Sequence, residues 1–257
     1  MSSFHGHFVW HELRTSDMDA AQDFYCKVME WTAEALVGGP VPYTRMMIGQ
    51  TPVAGVMTLP PEAAAAGAPP RWIGYVGVDD VDAMLVRLEQ AGGKVLYPAT
   101  DIPTIGRFAT VADPQGAAFA LFQPAVSEAP APLPMGTPGT VGWNELYAAE
   151  WQAAFAFYSA LFGWQKGDAV DMGPMGTYQL FTVGGVAVGG MMTRMDPAQP
   201  PRWGYYVNVP DADAAVARIN GAGGTVVHGP QVVPGGSMIV QGVDPQSIFF
   251  AVVSPPK

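Results

Sequence analysis

Residues 10–31, WHELRTSDMDAAQDFYCKVMEW, return at residues 143–164 as WNELYAAEWQAAFAFYSALFGW, an offset of 133 positions. The identities fall on bulky or charged residues: Trp10 and Trp143, Glu12 and Glu145, Leu13 and Leu146, Phe24-Tyr25 and Phe157-Tyr158, Trp31 and Trp164. Further along, Pro69-Pro70-Arg71-Trp72 recurs as Pro200-Pro201-Arg202-Trp203, Ala91-Gly92-Gly93 as Ala222-Gly223-Gly224, and Asp113-Pro114-Gln115 as Asp244-Pro245-Gln246, at an offset of 131. The change of offset is a loop difference, and the chain is a tandem repeat. Residues 125–138, AVSEAPAPLPMGTP, lie between the copies, and their prolines exclude a helix or central strand. They read as a semi-rigid linker between a first domain, 1–124, and a second, 139–257.

Each copy divides once more. Trp10 to Leu13 alternates as a strand, Ser16 is expected as a helix N-cap, and Ala21, Phe24, Tyr25, Val28 and Met29 follow at helical spacing. Short strands such as TRMMIG and VAGVMTL come next, separated by turn residues. The pattern then restarts: WIGYVGV reads as a strand, Asp80 opens a helix with Val81, Met84, Leu85 and Leu88 on one face, and Gly92-Gly93 stops it. Strands KVLYP, RFATVA and AAFALFQ complete the unit, the last two joined by the type I turn Asp113-Pro114-Gln115-Gly116. Strand, helix and three strands, repeated four times, make an α+β chain.

Composition bounds the function. With 12 basic against 22 acidic residues the net charge is −10, which repels nucleic acid and an anionic membrane surface. The N-terminus lacks a basic region followed by an apolar one, and no apolar run is long enough to span a membrane. A lone cysteine, Cys26, is compatible with a reducing cytoplasm and is expected to be buried in its helix. Four histidines and one cysteine exclude a structural zinc module.

The order and spacing of "SD…A…FY" in 16–25, "VDDVDAMLVRLEQAGG" in 78–93 and "DPQGAAFALFQ" in 113–123, each echoed in the second copy, resemble the vicinal-oxygen-chelate superfamily, which holds glyoxalases, extradiol dioxygenases and bleomycin-binding proteins. The tandem form with Trp-x-Glu-Leu openings looks like its two-domain glyoxalase-like members. The resemblance implies two glyoxalase-like domains, each of two βαβββ modules curled around a cavity, with metal ligands on defined strands; in such tandems modules pair either within one copy or across the two, and the sequence leaves both open. Those positions fall here on Trp10, Trp143, Ala120, Ala251, Ile73 and Gly204, none a ligand for a divalent cation. No metal and no cofactor is therefore expected.

Strand alternation puts Glu12 on the face of Trp10, and Glu145 on that of Trp143. An acid in an apolar cavity suits a general base or a ligand anchor, whereas a structural acid satisfied by an arginine or backbone N–H groups is the bland alternative. Tyr75 and Tyr206 are expected inward on the second modules' first strands, and with the tryptophans suit a planar or apolar ligand, though such rings also simply fill cores. Arg107, after Gly106, is a candidate clamp for an anion in the first copy alone, since Met238 stands at the matching position. His5-Gly6-His7 offers two imidazoles, too few to complete a metal site. Gly184-Gly185 and Gly189-Gly190 read as turns and a bulge.

Three functions fit. The first is metal-independent binding of a small apolar or aromatic molecule, of the sequestering or resistance type. The second is a glyoxalase-like enzyme acting on a small carbonyl or hydroxylated aromatic compound with Glu12 or Glu145 as general base. The third is a tandem kept for association with other proteins. A cytoplasmic monomer with a small-molecule partner is preferred to a homodimer, because the chain already supplies four modules.

Overall fold

The computed structural model describes residues 2–38, 41–126 and 133–256. The first copy runs β1 (Phe8–Thr15), α1 (Met18–Met29), β2 (Thr32–Ala35), β3 (Tyr43–Ile48), β4 (Thr51–Thr58), a short α2 (Pro61–Ala65), β5 (Arg71–Gly77), α3 (Val81–Gln90), β6 (Lys94–Ile102), β7 (Gly106–Ala112) and β8 (Ala118–Pro124). The second runs β9 (Val141–Ala148), α4 (Trp151–Phe162), β10 (Gln165–Asp171), β11 (Thr177–Val183), β12 (Val186–Thr193), β13 (Arg202–Asn208), α5 (Ala212–Gly221), β14 (Thr225–Val232), β15 (Met238–Val243) and β16 (Phe249–Ser254). These are the four expected βαβββ modules. Of the expected linker, residues 127–132 lie outside the described residues, and beyond them Thr137 turns back to hydrogen-bond the carbonyl of Pro134 through its hydroxyl at 2.6 Å.

Within each module the first strand lies beside the last in parallel and the other pairs are antiparallel, giving the order β2-β3-β4-β1 in the first. A parallel first-to-last pairing requires a crossover, and the helix after each first strand supplies it. In α1 the buried residues are Ala21, Phe24, Tyr25, Val28 and Met29, the set expected from spacing. The helix cap differs from expectation: Asp17, not Ser16, accepts from the N–H of Ala20 at 3.0 Å, and the Ser16 hydroxyl instead donates to Gln246 Oε1 at 2.9 Å. A carboxylate is the better cap because it also meets the positive end of the helix dipole. Cys26 is half-buried rather than enclosed, at the margin of the helix's apolar face.

The modules gather into two compact units, each taking one module from either end of the repeat boundary: the second and third modules with residues 2–9 form one, the first and fourth with residues 133–142 the other. In the unit of first and fourth modules, Leu13, Phe24, Tyr25, Val28, Met46 and Val56 share a core with Val207, Ile219, Val240 and Phe250. In the other unit the centre is aromatic, with Trp164 stacked on Phe181 at 4.4 Å and Tyr158 set edge-on to Trp203 at 5.3 Å. Such ring pairs add roughly 0.5–1.5 kcal/mol each beyond their buried area.

The Asp-Pro-Gln turns seam each unit. Gln246 Oε1 accepts from the Thr15 hydroxyl at 2.7 Å and from the N–H of Asp17 at 3.0 Å, while its amide nitrogen donates to the Asp17 carbonyl at 2.9 Å. Gln115 does the same to the third module, accepting from the N–H groups of Ala149 and Glu150 and donating to the Glu150 carbonyl. Each turn thus satisfies backbone groups left open where a strand of the other copy hands over to its helix.

Candidate functional site

On β1, Leu13 enters the core while Trp10, Glu12 and Arg14 occupy the opposite face, as alternation requires. The indole N–H of Trp10 donates to the phenol oxygen of Tyr43 on β3 at 2.9 Å. Tyr43 can lie there because Gly55, paired with Glu12 in the β1–β4 register, has no side chain: a Cβ on Gly55 would collide with the Tyr43 ring and hydroxyl. Glu12 is buried, at 6 % side-chain exposure, and its Oε1 accepts from Arg14 Nε at 3.0 Å. Arg71, at the start of β5, is half-buried; burial first, then the charge of Arg14, hold its pKa below the ordinary arginine value, against Tyr205, which raises it.

The third module rebuilds the same motif with one exchange. Trp143 donates to the Tyr178 phenol at 2.6 Å, and Tyr178 lies over Gly190, which pairs with Glu145. Tyr147 takes the place of Arg14, and its phenol donates to Glu145. The Arg202 guanidinium sits 4.6 Å from the Tyr147 ring centroid and donates to Gln199 Oε1 at 2.8 Å. Both tryptophans and both glutamates therefore belong to built clusters, one per copy.

The other candidate residues fall elsewhere. Tyr75, in the unit of second and third modules, packs against Phe108 and Phe122 at 6.1 and 6.3 Å, while Ala120 is its β8 partner. Tyr206, in the other unit, accepts from the Gln241 amide at 2.6 Å, with Ala251 as its strand partner. Arg107 is held by both oxygens of Asp82 at 3.0 Å and by Asp101 at 2.8 Å, contacts that raise its pKa, and the structure shows it as a surface tie between β7 and α3. His5 and His7 line a cleft of about 600 Å³, where His5 stands 3.2 Å from Asp79, an acid already bound by Ser2. Gly184-Gly185 forms the expected turn, but Gly189-Gly190 lies within β12, next to a register shift, where it makes room for Asn144, Phe181 and Tyr178.

A divalent metal, which the fold would suggest, does not suit these residues. Among the described residues no three His, Cys, Asp or Glu side chains gather closely enough to hold one. Each cluster offers a single carboxylate, already bonded to Arg14 or Tyr147. Sequence reasoning missed Tyr43, Tyr178, Gly55, Gly190, Arg14 and Tyr147. A signal was present, since Tyr43 and Tyr178, like Gly55 and Gly190, recur at a third offset of 135.

Fold and residues together define a tandem member of one superfamily: the chain belongs to the Glyoxalase/Bleomycin resistance protein/Dioxygenase superfamily, whose model matches residues 6–121 and again 140–250. A Mycobacterium tuberculosis protein named "Putative glyoxylase CFP32" is 36 % identical over 96 % of this chain and 94 % of its own length. The anthracycline biosynthesis protein DnrV of Streptomyces peucetius is 34 % identical over 95 % of this chain and 92 % of its own. Among solved structures, the Mn(II)-bound glyoxalase of Novosphingobium aromaticivorans shares the fold with a TM-score of 0.67 at 17 % identity, covering all of this chain and 84 % of that one.

Proposed function

We propose that the chain binds small planar, largely apolar organic molecules at its two Trp–Tyr–Glu clusters, without a metal ion. One observation carries this reading: in both copies an indole, anchored by a tyrosine laid over a glycine, stands on the face of a buried, already hydrogen-bonded glutamate. An aromatic wall offers area to a flat ligand, and fixed polar groups orient its oxygen or nitrogen atoms. Glu12 is committed to Arg14, which suits an anchor better than a base. The name of the Streptomyces relative points to the same ligand class, since an anthracycline is a fused-ring aromatic compound. The working form is a cytoplasmic monomer, with Arg107 outside the site.

A second reading, a glyoxalase-like enzyme on a small carbonyl compound, draws on the Tyr147–Glu145 contact, where the phenol donates to the carboxylate. Such a pair can take a proton from carbon and return it. The name of the mycobacterial relative favours this chemistry.

Calorimetric titration of chelator-treated protein with 1-naphthalenemethanol tests the binding reading. Saturable binding at two sites, one lost in Trp10→Ala and the other in Trp143→Ala, is the expected result. No binding, or binding only after Mn(II) is restored, overturns it.

A further inference from the structure

Tyr75 and Tyr206 hold matching places at an offset of 131, but the residues beside them differ. In the second module the strand register sets Tyr75, Ala120, Thr110 and Tyr97 in one row across β5, β8, β7 and β6, all on one face of the sheet. Arg107, on the same strand as Thr110, is turned to the other face, where it meets Asp82 of α3. The row therefore stands on the face away from that helix. Phe108 and Phe122, paired across β7 and β8, flank it: their rings lie 6.1 and 6.3 Å from Tyr75, and Tyr97 stacks on Phe108 at 5.7 Å.

In the fourth module the corresponding row is Tyr206, Ala251, Gln241 and His228, flanked by Ile239 and Val253. There the Gln241 amide crosses Ala251 and donates to the Tyr206 phenol at 2.6 Å. Thr110 stands where Gln241 does, and its shorter side chain does not reach across Ala120. It is 4 % exposed, and among the described residues its buried hydroxyl oxygen has no hydrogen-bond partner. A hydroxyl can both donate and accept, and burying one unpaired is costly until a partner arrives. Tyr97, Phe108 and Phe122 are only half-buried, so these rings form a mouth above it.

We propose that this row is a further binding site, built in the first copy and closed by Gln241 in the second, for an uncharged single-ring aromatic whose one hydroxyl bonds to Thr110. The rings supply aromatic area and the threonine the single polar contact, while no side chain of the row carries a charge that would receive an ionised group. The room is that of one amide group, which admits the hydroxylated edge of a ring and not the fused rings proposed for the tryptophan clusters. The site goes beyond those clusters and does not depend on them.

The test titrates phenol and toluene, which share a ring and differ at one group, into the full-length Trp10→Ala/Trp143→Ala variant, where both tryptophan clusters are disabled. Phenol should bind at one site per chain and toluene about tenfold more weakly, near the worth of one hydrogen bond. Adding Thr110→Val should bring phenol down to the toluene affinity. Thr110→Gln, which supplies the amide of the fourth module, should abolish binding of both. In the wild-type background Thr110→Val should unfold at the same or a higher midpoint, because a methyl replaces an unpaired hydroxyl. A residue that serves packing alone does not lose affinity while keeping or gaining stability. Phenol binding that ignores Thr110→Val overturns the site, as does a lowered midpoint in that variant, which would show the hydroxyl already paired. If the double variant does not fold, the same Thr110→Val comparison on the wild-type chain decides. Loss of 1-naphthalenemethanol binding with phenol still bound through Thr110 overturns the tryptophan clusters alone.

Discussion

Tyr25, on the first helix of the first copy, donates its phenol to Asp244 in the last turn of the second copy across 3.2 Å. The mirror pair, Tyr158 and Asp113, stands at 3.1 Å in the other unit. In both, a tryptophan N–H donates to the same phenol oxygen, Trp72 at 3.1 Å and Trp203 at 3.0 Å. The Phe-Tyr, Arg-Trp and Asp-Pro-Gln repeats are thus parts of one device that ties a module of either copy to its partner.

Removing one phenol strands an indole N–H, partly buried at Trp72 and buried at Trp203, and takes a donor from a buried carboxylate. Tyr25→Phe and Tyr158→Phe should each cost about 1–3 kcal/mol. Thermal unfolding should show midpoints lowered by roughly 2–4 °C per kcal/mol. Equal midpoints would mean that the seam contributes nothing.

Burial raises the pKa of both Asp113 and Asp244, against backbone and tyrosine hydrogen bonds that lower it. A carboxyl with a folded pKa above its unfolded one binds more protons in the folded state. Its contribution is greatest below the ordinary aspartate pKa and is lost as pH rises through the raised value. Melts across pH 3–7 should show this acid-side component, and the double variant Asp113→Asn/Asp244→Asn should lose it. A variant profile parallel to wild type throughout would contradict the assignment.

Gly55→Ala and Gly190→Ala place a methyl where Tyr43 and Tyr178 cross the sheet. Each tyrosine must leave, breaking its bond to Trp10 or Trp143. Affinity for an aromatic probe should fall about tenfold at the altered copy and stay unchanged at the other, at a cost near one hydrogen bond. Titrations showing two unaltered sites in either variant would dissociate the tyrosine from binding.

Glu12→Gln keeps an acceptor for Arg14 Nε but removes its counter-charge, whereas Glu12→Leu removes the acceptor as well. Breaking a buried pair by removing one partner costs about 3–5 kcal/mol, so the leucine variant should be the less stable by denaturant titration. If the two variants unfold together, the pair is not what Glu12 provides.

Much of this was written in the residues. Offsets of 133 and 131 define the repeat, and period-two alternation puts Glu12 beside Trp10 on one face of β1. Alternation says nothing about which neighbouring strand supplies a partner, so Tyr43 and Tyr178 lie outside the expected site. The same gap explains Arg107: a basic residue after a glycine suggests a clamp, but the Asp82 carboxylate that occupies it lies 25 positions away, on a helix. Gln246, whose contacts with Thr15 and Asp17 span about 230 positions, shows the extreme case. Pattern fixes the face of a strand, and only tertiary packing fixes what meets that face.

The most direct measurement is the metal content of untagged protein purified without chelator, by elemental analysis per mole of chain. The proposed metal-independent binding at Trp10, Tyr43 and Glu12, and at Trp143, Tyr178 and Glu145, predicts a content far below one for manganese, iron, nickel and zinc, with no rise in unfolding midpoint when these are added. A near-stoichiometric metal, retained and stabilising, would contradict metal-independent binding and place the chain with the metal-dependent enzymes of its superfamily.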